Sequence, residues 1–273
     1  MTGRHEAPGE QVPPGVDPEI PSAARAYDYL LGGGHNFAAD RELAKKIQVV
    51  QPGVVRIAQQ NRAFLRRAVL FMVEAGVRQF LDLGSGIPTV GNVHEIAQAA
   101  APDARVVYVD YDPVAVAHSR LLLAHNDNAD IVDADITRPH DVLDAGPARR
   151  LLDLDRPVGL LAVTIGHYIP PEADPAGLFA RYRDALAPGS FLALTHLTDD
   201  FTAIRGEQIV NTMKSSRNNV FPRTREEVLK LFTGYGLVEP GLVTTSSWRP
   251  GKGVTSMQDT ERDGLYAGVG RRL

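Results

Sequence analysis

The sequence predicts an open α/β sheet built to hold a nucleoside, and three observations carry that expectation. The apolar run Val77, Phe80, Leu81 and Leu83 stops at Gly84-Ser85-Gly86, and apolar positions then recur at Val93, Ile96, Ala97 and Ala100 with helical spacing. That is a buried strand, a glycine turn and an amphipathic helix. A second strand, Arg105 to Asp110, ends in an acid where a βαβ unit offers a carboxylate to both hydroxyls of a ribose. A further run, Pro157 to Thr164, is nearly all apolar, as a strand covered on both faces must be.

The nucleoside is narrowed by what the turn lacks. The dinucleotide fingerprint asks for a third glycine three residues after the second, and for a pyrophosphate to neutralise. Thr89 stands at that position, behind Pro88, and Asp82 lies two residues ahead of the first glycine. A carboxylate at the mouth repels pyrophosphate and suits an ammonium or sulfonium group. Asp-x-Gly-x-Gly after a strand, with an acid closing the next strand, resembles the S-adenosylmethionine site of class I methyltransferases. On that resemblance Asp82, Gly84, Ser85, Gly86 and Asp110 hold the cofactor, the two glycines bending the chain so that amides approach the ligand.

Taken in order, the chain begins with Met1 to Ile20, rich in proline and poor in apolar residues, which reads as a disordered lead-in. Helices follow from Ala23 to Leu31, then one that His35 to Arg41 leads into and that ends near Pro52, and a third from about Val54 to Ala75. Residues 21–76 are thus expected as a helical cap over the crevice, and residues 77–273 as a Rossmann-like core, together one domain. Tyr29, Asn36 and Phe37 of the cap are expected to touch an acceptor. Gly32-Gly33-Gly34 gives this segment a hinge.

Beyond Asp110, Tyr111 is placed to lie against the adenine. Ala129 to Asp133 forms a third strand; Asp135 after it is expected to accept the adenine amino group, with Ile136 against the ring. Thr164, at the end of the apolar fourth strand, completes the expected cofactor set. His167 and Tyr168 follow beside the expected methyl, as candidates for a base or an orienting group. Ser190 to Thr195 reads as the fifth strand, with His196 and then Phe201 at its end as further acceptor contacts. Phe201 to Pro222, with a helix inside it, reads as a lid or substrate wall. A capping box at Thr224 and Glu227 starts one more helix, and Leu237 to Thr245 and Leu265 to Arg271 supply the last strands.

Composition excludes several classes. The 273 residues are 44% hydrophobic, enough for a sizeable core, and carry a net charge of −4, which exerts no pull on nucleic acid or anionic membrane. The chain has no cysteine, hence no disulfide, thiolate metal site or cysteine nucleophile. His94, His118 and His125 lack the companions of a zinc site, so no metal is expected. The N-terminus shows no apolar signal region and the longest apolar stretch is too short to span a bilayer, so a cytoplasmic protein is expected. Nothing in the sequence selects an oligomeric state.

Four blocks extend the likeness beyond the nucleoside site: Ala24 to Gly33, Asn61 to Val69, Gln79 to Thr89 and Val106 to Pro113. They are similar to the signature blocks of one bacterial family, called simply the S-adenosyl methyltransferase family. The resemblance implies a class I methyltransferase fold, with a seven-stranded, mostly parallel sheet, one antiparallel strand and helices on both faces. It implies S-adenosyl-L-methionine as cofactor and leaves the substrate open. The third position of the family's glycine triad, often lysine, is Gly34 here. The expected activity is O- or N-methylation of a small molecule, such as a secondary metabolite; the competing reading is a non-catalytic S-adenosylmethionine-binding regulator.

Overall fold

The computed structural model describes residues 16–88, 91–201, 203–251 and 264–273. Thr89, and residues 1–15 of the expected lead-in, lie outside the described residues. Three helices precede the sheet: α1 (Ala23–Leu30), α2 (Ala38–Val50) and α3 (Val54–Glu74). Strand β1 (Gln79–Leu83) then leads to α4 (Val93–Ala100), β2 (Arg105–Asp110), α5 (Pro113–Leu123) and β3 (Ala129–Asp133). Two short helices, α6 (Pro139–Leu143) and α7 (Gly146–Leu151), cross to β4 (Gly159–Val163). The remainder is α8 (Pro175–Ala185), β5 (Phe191–Leu197), α9 (Ala203–Met213), α10 (Arg225–Lys230), β6 (Tyr235–Leu237), β7 (Val243–Thr244) and β8 (Leu265–Arg272).

The strands lie in the order β3-β2-β1-β4-β5-β8-β6, with β7 paired to β8 off that path. Strands β1 to β5 pair in parallel, and β8 runs against β5, β6 and β7. Among the described residues the sheet therefore has eight strands, where seven were expected. The stretch 237–245, expected as one strand, is broken: Pro240 has no amide hydrogen for a ladder and Gly241 turns with φ 85°. Pairing stops at Leu237 and resumes at Val243.

Alternation along the strands sets what faces what. Leu81 and Leu83 of β1 join Val107 and Val109 of β2 on one face, while Phe80, Val106 and Tyr108 pack on the other with α3 and α4. Asp82 and Asp110 fall on that second face by the same two-residue period. The buried Trp248 locks α3 there, edge-on to Phe64 at 5.3 Å and Phe71 at 5.9 Å. Strand order reverses between β1 and β4, so the crevice outside their carboxyl ends is where an open α/β sheet takes its ligand. No helix among the described residues is long and apolar enough to cross a membrane.

The helical cap is fastened by buried polar contacts. Arg25 is 1% exposed; its Nε donates to Asp40 Oδ2 at 2.8 Å and its Nη2 to the Ile20 carbonyl at 2.6 Å. Its Nη1 lies 3.7 Å from Asp112 Oδ2, which also accepts the Ser22 hydroxyl at 2.6 Å. Asp40 further accepts the amides of Ser22 and Phe37, both within 2.9 Å. At the start of the described chain, Val16 packs with Ile87, Val114 and Phe37, and the Ile20 amide donates to the Asp17 carbonyl.

Removing Asp40 would strand a buried guanidinium, so Asp40→Ala should destabilise the fold by about 3–5 kcal/mol in chemical denaturation. A change below about 1 kcal/mol would mean that Asp112 and Ile20 suffice for Arg25.

Candidate functional site

A cavity of about 360 Å³ opens at the carboxyl ends of β1, β2 and β4, and α1, α2, α3 and α9 close over it. Its floor is the glycine turn. Gly84 and Gly86 both adopt φ 67°, which disfavours any side chain, and a Cβ at Gly84 would collide with Ile165. The amides of Gly84 and Ser85 both donate to the Val109 carbonyl, at 2.8 and 3.0 Å, and that of Gly86 donates to Asp110 Oδ2 at 2.7 Å. All three are thereby bound inside the protein. The turn offers no cradle to an anion, contrary to the expectation that its amides approach the ligand.

The acids of the floor are set for a cation. Asp110 also accepts the amides of Tyr111 and Asp112, yet burial outweighs these bonds and raises its pKa to about 6. Burial raises that of Asp82 to about 7; the Arg62 guanidinium opposes the shift and the Asp110 charge adds to it. The Ser85 hydroxyl and Asp28 Oδ1, on two other residues of the cavity wall, are buried without a hydrogen-bond partner. Carboxylates that are costly to ionise and polar atoms left unpaired fit a ligand bearing both positive charge and hydrogen-bonding groups.

The wall at the ends of β4 and β5 is held by one network. Thr164 adopts φ 55°, a left-handed conformation that costs a threonine about 1–3 kcal/mol. Its amide donates to Thr195 Oγ1 at 2.8 Å, and Thr195 Oγ1 donates to Asn61 Oδ1 at 2.8 Å. Asn61 Nδ2 reaches the Tyr27 hydroxyl at 3.0 Å and Thr164 Oγ1 at 3.4 Å. One asparagine on α3 thus ties α1 to two strand ends.

His167 lines the cavity beside Tyr168, their ring centroids 4.5 Å apart. Burial, with His196 and Arg223 nearby, holds the His167 pKa well below the usual range, so the ring is neutral. Its Nδ1 accepts the Leu197 amide at 3.4 Å, which assigns the ring hydrogen to Nε2. A neutral ring with Nε2–H is a donor and a poor base. Burial also raises the Tyr168 pKa, so the phenol stays protonated.

Of the residues singled out from the sequence, Asp82, Gly84, Ser85, Gly86, Asp110, Tyr111, Thr164, His167 and Tyr168 line the cavity. The others lie off it, each for a local reason. Asp135 is exposed and accepts the Thr137 amide at 2.8 Å, while Ile136 is buried in the core with its carbonyl accepting the Tyr182 hydroxyl. Tyr29 packs among the cap helices. Asn36 bonds Asp28 and the Gly33 carbonyl, and Phe37 lies under the Arg25 guanidinium. His196 is sealed between the Leu197 carbonyl and Arg223 Nη1, and Phe201 packs on Tyr266 at 5.2 Å.

Several cavity residues were not anticipated: Ser22, Asp28, Asn61, Arg62 and Asp112. Asn61 alone left a readable signal, a polar residue within the buried stripe Ala58, Asn61, Leu65, Ala68 of α3. The exposed Tyr111 takes a hydrogen bond on its hydroxyl from Asn218 Nδ2 at 2.8 Å, and the Asn218 side chain also accepts the Ala23 amide. The loop after α9 is thereby joined to α1 and to Tyr111. Among the described residues, no group of three acids or histidines is arranged to hold a metal.

The family model described as S-adenosyl methyltransferase matches residues 9–273. A candidate methyltransferase from Thermobifida fusca YX is 41% identical, with 97% of this chain and 99% of that one covered and a TM-score of 0.91. A DUF574 family protein from Streptomyces avermitilis MA-4680 is 37% identical over 94% of this chain and 99% of that one, with a TM-score of 0.90. No curated protein matches the chain.

The raised acids make ligand binding depend on pH with a definite sign. A bound ammonium favours ionised Asp82, so its pKa falls on binding and a proton is released below about 7. S-Adenosylhomocysteine affinity should fall as pH drops from 8 to 6, by up to about tenfold per unit. Asp82→Asn should flatten that slope in calorimetry; an unchanged slope would place the titrating group elsewhere. In the ligand-free protein the same shift lowers stability as pH rises from 3.8 through about 7, because charging the buried acid is unfavourable.

Proposed function

The chain belongs to the S-adenosyl methyltransferase family, and from that premise we propose that it methylates a small molecule at oxygen or nitrogen. The observation that carries the reading is that one cavity runs from the acidic strand ends to an apolar stretch of wall under the cap helices. A ligand held at the strand ends would meet a partner there. An opening of about 360 Å³ suits small ligands rather than a nucleic-acid strand.

S-Adenosylmethionine, when bound, supplies a methyl group already activated on a sulfonium. Asp110 and Tyr111 would hold its nucleoside, and Asp82, opposed by Arg62, its amino-acid end, with Ser85 and Gly86 as floor. Thr164, kept in its left-handed conformation by Thr195 and Asn61, gives the wall a fixed shape. The chain's own part would be to hold the acceptor's lone pair toward that methyl, with S-adenosylhomocysteine as the product left behind and the acceptor's proton passed to water. His167 donates from Nε2 to orient the acceptor rather than taking that proton, and Tyr168 offers a neutral hydroxyl beside it.

The test is incubation with methyl-labelled cofactor and a cell extract, followed by separation by mass. Label should appear in the low-mass fraction; label in protein or nucleic acid would overturn the reading, and none anywhere despite tight binding would favour a regulator. His167→Gln keeps an N–H donor and removes any base. It should retain transfer within about tenfold, whereas a loss of about 10²–10⁴ would restore the base.

A further inference from the structure

The compartment under the cap has a composition of its own. Leu30, Ile47, Val54, Ile209, Met213 and Val220 belong to one apolar cluster and all line the cavity. Ile47, Val54 and Ile209 remain only partly buried although the cluster packs around them. The charged groups of the cavity wall sit elsewhere. Asp82, Asp110 and Asp112 lie at the ends of β1 and β2 or just beyond, and Arg62 donates to the Gly91 carbonyl. Asp28 holds the His35 amide and Asn36 through Oδ2 and keeps Oδ1 buried and unpaired, and Arg217 stands on the exposed loop after α9. None of the six belongs to the apolar cluster.

A charged group buried among these aliphatic side chains would lose its hydration and gain no counter-ion from them, at a cost of several kcal/mol. A neutral acceptor meets no such cost, and every methylene it buries against these walls adds about 0.8 kcal/mol. Building on the methyl-transfer reading, we infer that the acceptor is an uncharged molecule with an aliphatic body, its hydroxyl or amine entering in neutral form beside Tyr168 and His167. Acceptors whose whole body is charged, such as nucleotides and sugar phosphates, are disfavoured by this wall. Polar anchoring falls to Tyr168, itself part of the cluster, and to Gln51, which also lines the cavity; the Tyr27 hydroxyl is already shared between Asn61 and the Ala58 carbonyl.

The experiment uses the full chain saturated with S-adenosylhomocysteine and three probes of one shape: geraniol, geranic acid and geranylamine at pH 7, followed by calorimetry. Geraniol should bind at least about tenfold tighter than either charged analogue. Ile209→Asp should weaken geraniol by about tenfold or more while S-adenosylhomocysteine affinity stays within about twofold. Retained S-adenosylhomocysteine binding also shows that the variant is folded; should it not fold, Ile209→Thr replaces it, with a loss of several-fold expected. Equal or tighter binding of a charged probe, no binding of any probe, or geraniol indifferent to both variants overturns the inference. Failure of S-adenosylhomocysteine to bind the unmodified protein is a separate result, which would remove the cofactor reading instead.

Discussion

One buried guanidinium decides where the crevice closes. Arg25 draws together the carboxylates of Asp40 and Asp112, which belong to α2 and to the start of α5, and the carbonyl of Ile20 before α1. A cation so deeply buried is tolerated because each partner is satisfied in turn: Asp40 by two amides, Asp112 by the Ser22 hydroxyl and the first amides of α5. The fastening sits two residues from Asp110. The position of the cap and that of Asp110 are therefore tied through one hydrogen-bonded cluster, which holds α1 against the sheet.

The electrostatics of the floor follow from how the backbone spends its amides. In a phosphate-binding turn the amides face the ligand. Here Val109 and Asp110 consume those of Gly84, Ser85 and Gly86, leaving acids rather than donors toward the cavity. The Asp110 charge discourages that of Asp82, the Asp112 charge discourages that of Asp110, and burial discourages both. A sulfonium or ammonium relieves this; a pyrophosphate would aggravate it. The absence of a third glycine and the direction of the amides thus exclude the same ligand on independent grounds.

The parts legible in the sequence were those governed by short-range rules. The strand–turn–helix at Phe80 to Ala100, the closing acid Asp110 and the capping box at Thr224 depend on periodicity and local hydrogen bonding, and they appear where those rules put them. What escaped depends on distant partners or on competition for a side chain. Asp135 looked available, but the pattern Asp-Ile-Thr is also a local turn, and the Thr137 amide claims the carboxylate. His196 sits at a strand end like His167, yet Arg223, far along the chain, seals it inside. Asn36 and Phe37 have the composition of a binding loop and serve instead to brace Asp28 and Arg25. Arg62 is one of many arginines on α3, and nothing local marks it as the one beside Asp82.

The two halves of the cavity make sense together for the proposed reaction. When a neutral acceptor attacks a methyl on sulfur, the positive charge is neither created nor destroyed; it spreads from one atom over three. Low polarity penalises concentrated charge more than dispersed charge. Walls such as Ile47, Val54 and Ile209 would then disfavour the starting arrangement more than the transition state, provided the charge stays anchored near Asp82 and Asp110. A cavity acidic at one end and aliphatic at the other meets that condition without a base. The neutral, donor-bearing His167 at their boundary completes the arrangement, since a second cation at that point would oppose the spreading charge.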